Sequence, residues 1–423
     1  MQTQVDHMSI DEIFSHYLGR GFDYVRSGRE TEALSDRRLA ALGVQRVLEQ
    51  HVSGREFLQS VREVDDTELA RTTFFEALNS YRRCRMLGEL SAGLRQVADR
   101  DLAGCGVDYL SDIPELAGWR VLAGDGHSIE HGCHAQKSAD GAHLPSTVLF
   151  LQSLRTGIIQ AFCPVVGAGR HQHEWPAFKS ALPLLDGPDL TGQLLKTLFI
   201  LDRAYIDNLF WAKQKHLLVI TRSKSNFKPV SSRALPFDAD DPVNVGVVAY
   251  RELDFASGAV LREVSYVDPE TGEAYKFLTT CTKLKPGLIA HLYRLRWRIE
   301  KTFDVLKNVL GETKAWTASE AGQMSQAHLI AIAYNLCVLL QSILAANHGL
   351  RDTKVEAKHD QWVARREKLA AARGRRLHPL ELTLPRMPRL SAQFIRTIRN
   401  HLHLPATLLA LLPAFTATLA HYL

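Results

Sequence analysis

Along residues 286–310, PGLIAHLYRLRWRIEKTFDVLKNVL, apolar side chains return at helical spacing. At about 100° per residue, Leu292, Leu295, Ile299, Phe303, Leu306 and Leu310 form one stripe. Pro286 suits the first turn, where its missing N–H would have no partner, and Gly311 suits a left-handed cap. The pattern predicts a single helix over 286–310. Similar spacing in IDEIFSHYLGRGFDYV, RLAALGVQRVLEQHV and REFLQSVREV predicts a largely helical region over residues 1–110. Within it, DDTELARTTFFEALNSYRRCRMLGEL has the length of a helix-turn-helix, with Arg82, Arg83 and Arg85 near its end.

From Gly118 the period changes from helix to strand. GWRVLAGDG alternates and then breaks at Gly124-Asp125-Gly126, which predicts a strand delivering Asp125 at its end. STVLFLQSLRTG and IIQAFCPVVG predict a hairpin, and HEWPAFKSALPLL a helix. LLKTLFILDRAYIDN reads as a buried strand ending at Asp202, followed by a helix in IDNLFWAKQKH and another buried strand in HLLVITRS. Strand, strand, strand, helix, strand, helix, strand is the order of an α/β ribonuclease-H-like core, here assigned to residues 111–345. Short alternating runs between Pro- and Gly-rich turns predict a β-rich insertion at 222–282. After Gly311, QAHLIAIAYNLCVLLQSILAA predicts a second apolar helix packed under the first.

The chain carries a formal charge of only +5, unevenly spread. Residues 351–400 hold 13 Lys and Arg against 5 Asp and Glu. A basic helical region at 346–423, joined to a near-neutral body, points to a polyanionic partner or to oligomerisation. Cys84, Cys105, Cys133, Cys163, Cys281 and Cys337 include no CxxC pair, which argues against a zinc ribbon or a disulfide framework and for a cytoplasmic protein. The apolar tail from Ala406 to Ala420 is interrupted by Pro413 and too short to span a membrane, so a docking helix is expected. His127, His131, Cys133 and His134 cluster, and His171 and His173 follow Arg170, but their spacings fit no standard zinc set. His127, two residues from Asp125, is expected at the site.

Three carboxylates stand out: Asp125, Asp202 and Glu300, which only the fold can bring together. Crowded carboxylates repel unless a cation neutralises them, and hard oxygen donors suit Mg²⁺ or Mn²⁺. Two such ions could serve an in-line displacement at phosphorus, Asp125 being shared between them and Glu300 completing the second site. Beside the apolar stripe, Tyr293, Arg296, Glu300 and Lys307 lie within roughly 60° of one another on the helix. From that face Tyr293, Arg296 and Lys307 would hold phosphates, with Arg203 beside Asp202 as a further contact; Trp297 on the same helix joins Phe227, Phe237, Tyr250, Phe255, Tyr266, Tyr275 and Phe277 as aromatic candidates for a DNA contact.

The series Tyr293-x2-Arg296-x3-Glu300-x6-Lys307 resembles the signature of DDE transposases of the insertion sequence 4 family. The Asp-Gly at 125–126 and Asp202-Arg203-x-Tyr205 resemble the family's segments after its first and fourth strands. The resemblance covers roughly residues 118–345. It implies an enzyme that binds terminal inverted repeats of double-stranded DNA through an N-terminal domain, pairs two ends as a homodimer, cuts them and joins the 3′-hydroxyls to target DNA. Better-known relatives place a base-stacking Trp in the β insertion; residues 222–282 contain none. A metal-dependent nuclease on the same fold, or a DNA-binding regulator that has lost catalysis, would share most of these features.

Overall fold

In the computed structural model, the described residues are 5–29, 34–50, 53–65, 69–129, 146–164, 174–185, 196–214, 216–224, 227–310, 315–350, 353–374, 377 and 390–420. Gly311, His131, Cys133, His134, Arg170, His171 and His173 lie outside them, so the expected cap and the histidine cluster receive no structural account.

The alternating segments form one sheet. Its strands are β1 (Trp119–Ile129), β2 (Ser146–Ser153), β3 (Ile159–Pro164), β4 (Lys196–Leu201), β5 (Leu218–Arg222), β6 (Ser231–Ala234), β7 (Val247–Asp254), β8 (Val260–Val267) and β9 (Ala274–Thr279). Their order is β3-β2-β1-β4-β5-β9-β8-β7-β6. Only β1, β4 and β5 run parallel; the other pairings are antiparallel. The first five strands make the ribonuclease-H-like core expected from the sequence. The insertion extends that same sheet, because the outer edge of β5 pairs with β9.

Each strand near the site is covered on both faces. Val121 and Ala123 join one apolar cluster with Leu292 and Ile299, whereas Leu122 joins a second with Phe178 and Tyr205. The first cluster packs α8 (Pro286–Leu295) and α9 (Trp297–Asn308) on the sheet. The second packs α6 (Glu174–Leu185) and α7 (Asn208–Lys213) on the opposite face. Period-two alternation therefore sends Asp125 towards α8 and α9, and Gly126 towards α6.

The expected single helix over 286–310 is two helices meeting at Arg296. Its N–H bonds to the Tyr293 carbonyl at 3.1 Å, and its own carbonyl accepts from the Ile299 N–H at 3.0 Å. These three-residue steps tighten the turn and break the α-helical ladder, although Arg296 keeps right-handed helical dihedrals. The predicted apolar stripe is retained, with Leu292, Leu295, Ile299 and Leu306 fully buried. The insertion fixes the start of α8, since Asn244 Oδ1 accepts from the Gly287 N–H at 2.9 Å. That approach requires glycine, because a Cβ on Gly287 would collide with the Val243 carbonyl.

Preceding the sheet are α1 (Ile10–Phe22), α2 (Asp36–Glu49), α3 (Gly54–Asp65), α4 (Arg71–Asn79) and α5 (Tyr81–Gly104). Following α9 are α10 (Glu320–His348), α11 (Thr353–Ala372), α12 (Ala392–His401) and α13 (Leu408–Ala420). The segment with helix-turn-helix length becomes α4 and the 24-residue α5, with Ser80 alone between them. Arg82 and Arg83 are held within the fold, pairing with buried Asp36 at 2.7 and 3.2 Å, whereas exposed Arg85 pairs with Glu89.

Helix α10 is long and apolar enough to cross a membrane by composition, yet 83% of its most apolar window is buried within the fold. Asn335 is satisfied there by backbone: it accepts from the Ile159 N–H at 2.8 Å and donates to the Ile159 carbonyl at 2.9 Å. Tyr334 meets Thr302 of α9 at 3.3 Å, linking the two apolar helices as expected. The apolar tail forms a docked helix, with Leu408 and Phe415 fully buried. Its start is stitched to the beginning of the chain: the Leu408 N–H donates to the Met8 carbonyl at 2.7 Å, and the Leu409 N–H to the Asp6 carbonyl at 3.0 Å.

Candidate active site

Register brings the first two acids together. Parallel pairing of β1 with β4 ends at Gly124 opposite Leu201, so Asp125 and Asp202 are the next residues on adjacent strands. Neighbouring strands lie about 4.8 Å apart, which fixes the two backbones side by side. The expected strand break at Gly124-Asp125-Gly126 does not occur: β1 continues to Ile129, paired with β2 up to Ser146. Asp125 is where β1 loses one neighbour and keeps the other. Beyond β4 the chain turns into a short 3₁₀ segment, Arg203–Tyr205, held by the Thr221 hydroxyl donating to the Asp202 carbonyl at 2.9 Å.

The signature helices meet these acids directly. The Tyr293 hydroxyl donates to Asp202 Oδ1 at 3.0 Å. Arg296 Nη1 donates to Asp125 Oδ2 at 2.6 Å, while its Nη2 donates to Glu300 Oε1 at 3.0 Å. Arg296 is nearly enclosed, its side chain 7% exposed, whereas Glu300 is 41% exposed. One guanidinium thus joins the acid of the first strand to the acid of the helix. Lys307 lies exposed two turns beyond Glu300, Arg203 is exposed beside Asp202, and Trp297 is 63% exposed.

A fourth carboxylate, which sequence reasoning missed, approaches from the other face. Glu174 opens α6 and accepts a hydrogen bond from the hydroxyl of fully buried Tyr205. Its carboxyl lies over Gly126, where a Cβ would collide with it. In sequence Glu174 is an acid at a helix start, a common placement that favours the helix dipole and gives no sign of chemistry.

Electrostatics follow from this crowding. Burial pushes the Asp125 carboxyl up to about 6; Arg296 opposes that rise, and Glu174 and then Asp202 add to it. Burial works against the Arg296 charge, but Tyr293, Asp125, Asp202 and Glu300 outweigh it and hold the guanidinium above its ordinary value. Burial first, then Asp202, raises the Tyr293 phenol, so it remains a donor at neutral pH.

His127 lies under α9. It is 2% exposed and packs against the rings of Phe303 and Phe150, with centroids 4.6 and 5.7 Å away. Alternation places it on the same face as Asp125 but one step deeper under α9, a position that packing fills.

Among the described residues, no three His, Cys, Asp or Glu side chains stand close enough to chelate an ion as they are. The donor chemistry nevertheless fits a hard divalent cation, since Asp125 and Glu300 already share one positive group, the Arg296 guanidinium. Oxygen donors on β1, after β4 and on α9 would hold Mg²⁺ or Mn²⁺ once that guanidinium withdraws.

A family model described as Transposase DDE domain matches residues 168–336. The matched stretch contains Glu174, Asp202 and the whole series from Tyr293 to Lys307, and begins after Asp125. This domain supports a transposase-type function. None of the curated proteins compared with the chain matches it.

Proposed function

We propose that the chain is a DNA transposase of the insertion sequence 4 type. It binds the inverted-repeat ends of a mobile element, hydrolyses the phosphodiester at each end and joins the freed 3′-hydroxyls to target DNA by transesterification. The observation that carries this reading is the shared register of Asp125 and Asp202, with Arg296 and Glu300 facing them from the signature helices.

Asp125, Asp202 and Glu300 are the residues that would hold two divalent ions, Mg²⁺ or Mn²⁺. When bound, such ions supply Lewis-acid activation of the attacking oxygen and charge neutralisation at the leaving oxygen. Tyr293 fixes the orientation of Asp202 by donating its hydroxyl to Oδ1, which leaves Oδ2 for an ion. Arg296, once released from Asp125 and Glu300, presents a planar donor fork suited to a phosphate. Lys307 and Arg203 add exposed positive charge, and Trp297 offers an aromatic face for a base drawn out of the duplex. Two copies, each holding one end, would make the synaptic complex.

A strand-transfer assay tests the reading. A pre-cleaved end carrying a 3′-hydroxyl, incubated with plasmid target and Mg²⁺, is expected to give products longer than the substrate. Shortened products alone would identify a nuclease on the same fold. Retention of both reactions in Asp202→Ala would overturn the site assignment.

A further inference from the structure

We propose that Arg46, Arg71 and the starts of α3 and α4 form a phosphate site beyond the end of the signature helices, occupied by the DNA backbone; the choice of DNA as its source rests on the reading above.

An arginine without an acid marks the place. Arg46 is 6% exposed, yet its Nε and Nη1 donors are sealed in with no acceptor among the described residues. Rings stand where a counter-ion would: the centroids of Trp316, Phe75, Phe57 and Phe74 lie 4.2, 5.1, 5.7 and 5.9 Å from the guanidinium carbon. Aromatic faces attract a cation but do not accept its in-plane N–H bonds. Burial, and then the like charge of Arg71, pull the Arg46 guanidinium down to about 10, so it stays charged at neutral pH. A buried cation set beside a second cation costs stability until something negative arrives.

Backbone dipoles favour the same visitor. Arg46 Nη2 stands 3.6 Å from where a Cβ on Gly54, the first residue of α3, would be. The Phe75 ring closes on the bare side of that glycine and would collide with any Cβ there. Ser53 takes the Glu56 and Phe57 N–H groups, each at 3.1 Å, which leaves those of Gly54 and Arg55 for another acceptor. Over the same ring, Arg71 opens α4 with its guanidinium 5.6 Å from the Phe75 centroid. Ala70 before it supplies no side-chain cap, and the first turn of α4 holds no acid. Glu56 in the first turn of α3 is exposed, and the charge felt at Arg46 is that of Arg71. Two helix starts and two guanidinium groups thus meet at one ring, an arrangement suited to a phosphate.

Position decides where the phosphate comes from. Gln50, one turn past Arg46, donates to the Val309 carbonyl, two residues beyond Lys307. Trp316, which covers Arg46, follows the same helix in sequence. The site therefore adjoins the exposed lysine proposed above to contact DNA, and Arg55 and Arg71 are themselves exposed. A continuous backbone can serve both places, which a single free anion cannot.

Two substitutions test the site. Arg46→Met removes the enclosed cation while keeping a long side chain, and Arg71→Ala removes the exposed one. Each full-length variant is titrated against a labelled duplex by fluorescence anisotropy across a salt series, and melted with and without inorganic phosphate at constant ionic strength. The proposal expects each variant to weaken duplex binding about five- to tenfold and to lower the slope of log affinity against log salt by about one. Phosphate should raise the unfolding midpoint of the wild type and leave that of Arg46→Met unmoved. Exchanging an unpaired buried charge for Met is not expected to lower stability without phosphate; should that variant fail to fold, Arg71→Ala, on the surface, carries the same test. Loss of the phosphate effect with unchanged duplex affinity and slope would identify a site for a free phosphate and overturn the DNA assignment. Wild-type behaviour of both variants in every measurement overturns the site and spares the proposed function. Weakened duplex binding in both, beside a wild type that only shortens its substrate, upholds the site and overturns the transposase reading.

Discussion

Arg296 reaches Asp125 across 2.6 Å, joining the middle of the signature helices to the first strand of the core. The same side chain holds Glu300 at 3.0 Å, so one guanidinium bridges two of the three acids proposed above to hold the ions. An enclosed arginine is a poor first contact for DNA, and a suitable counter-charge for a site awaiting cations.

Replacing Arg296 with Met is expected to destabilise the ion-free protein by about 3 kcal/mol, because removal of one partner leaves Asp125 and Glu300 repelling in a partly buried site. Added Mn²⁺ should recover much of that loss. Urea unfolding with and without the ion measures both quantities, and an equal deficit under both conditions would rule out a counter-charge role.

Stability should also report on Asp125. Its carboxyl titrates near 6 in the folded chain and near 4 when unfolded, so between those values the folded state holds a proton that the unfolded state has released. The contribution of this group to the stability of the ion-free protein is therefore full below about pH 4 and is lost as pH rises through about 6. Allowing for a side chain 24% exposed, the loss attributable to this group is about 2 kcal/mol. Asp125→Asn should flatten that slope, which unfolding midpoints at half-unit pH steps would reveal.

Glu300→Gln is expected to abolish cleavage while leaving end binding intact, since the amide keeps the shape but loses the charge. Lys307→Ala should weaken binding of a cleaved end and reduce the slope of log affinity against log salt by about one. Gel-shift titrations across a salt series distinguish the two, and an unchanged slope in Lys307→Ala would remove this residue from the DNA contacts.

Trp297 should separate stability from recognition. At 63% exposure, its change to Ala is expected to alter unfolding by less than about 0.5 kcal/mol. Loss of a stacked base would weaken binding of an end with an unpaired terminal nucleotide by about 1–3 kcal/mol, with less effect on intact duplex. Fluorescence titration with the two substrates makes the comparison.

Residue patterns foretold the succession of strands and helices in the core and the buried stripe of α8 and α9, because period-two and helical repeats directly encode which face meets the core. They misplaced what depends on neighbours. Gly124-Asp125-Gly126 looks like a strand end because glycine and aspartate are common in turns, yet pairing with β2 carries the strand to Ile129. The helix over 286–310 looks continuous because the interruption at Arg296 leaves the apolar repeat in phase. Glu174 carried no mark at all, since its meaning lies in the empty side of Gly126, residues away along the chain.

The backbone stitch between Met8 and Leu408 sets a schedule for biosynthesis. Residue 8 leaves the ribosome long before residue 408 exists, so the contact that closes the fold cannot form during translation of the sheet or of the signature helices. Its assembly comes late, bringing together segments about 400 residues apart.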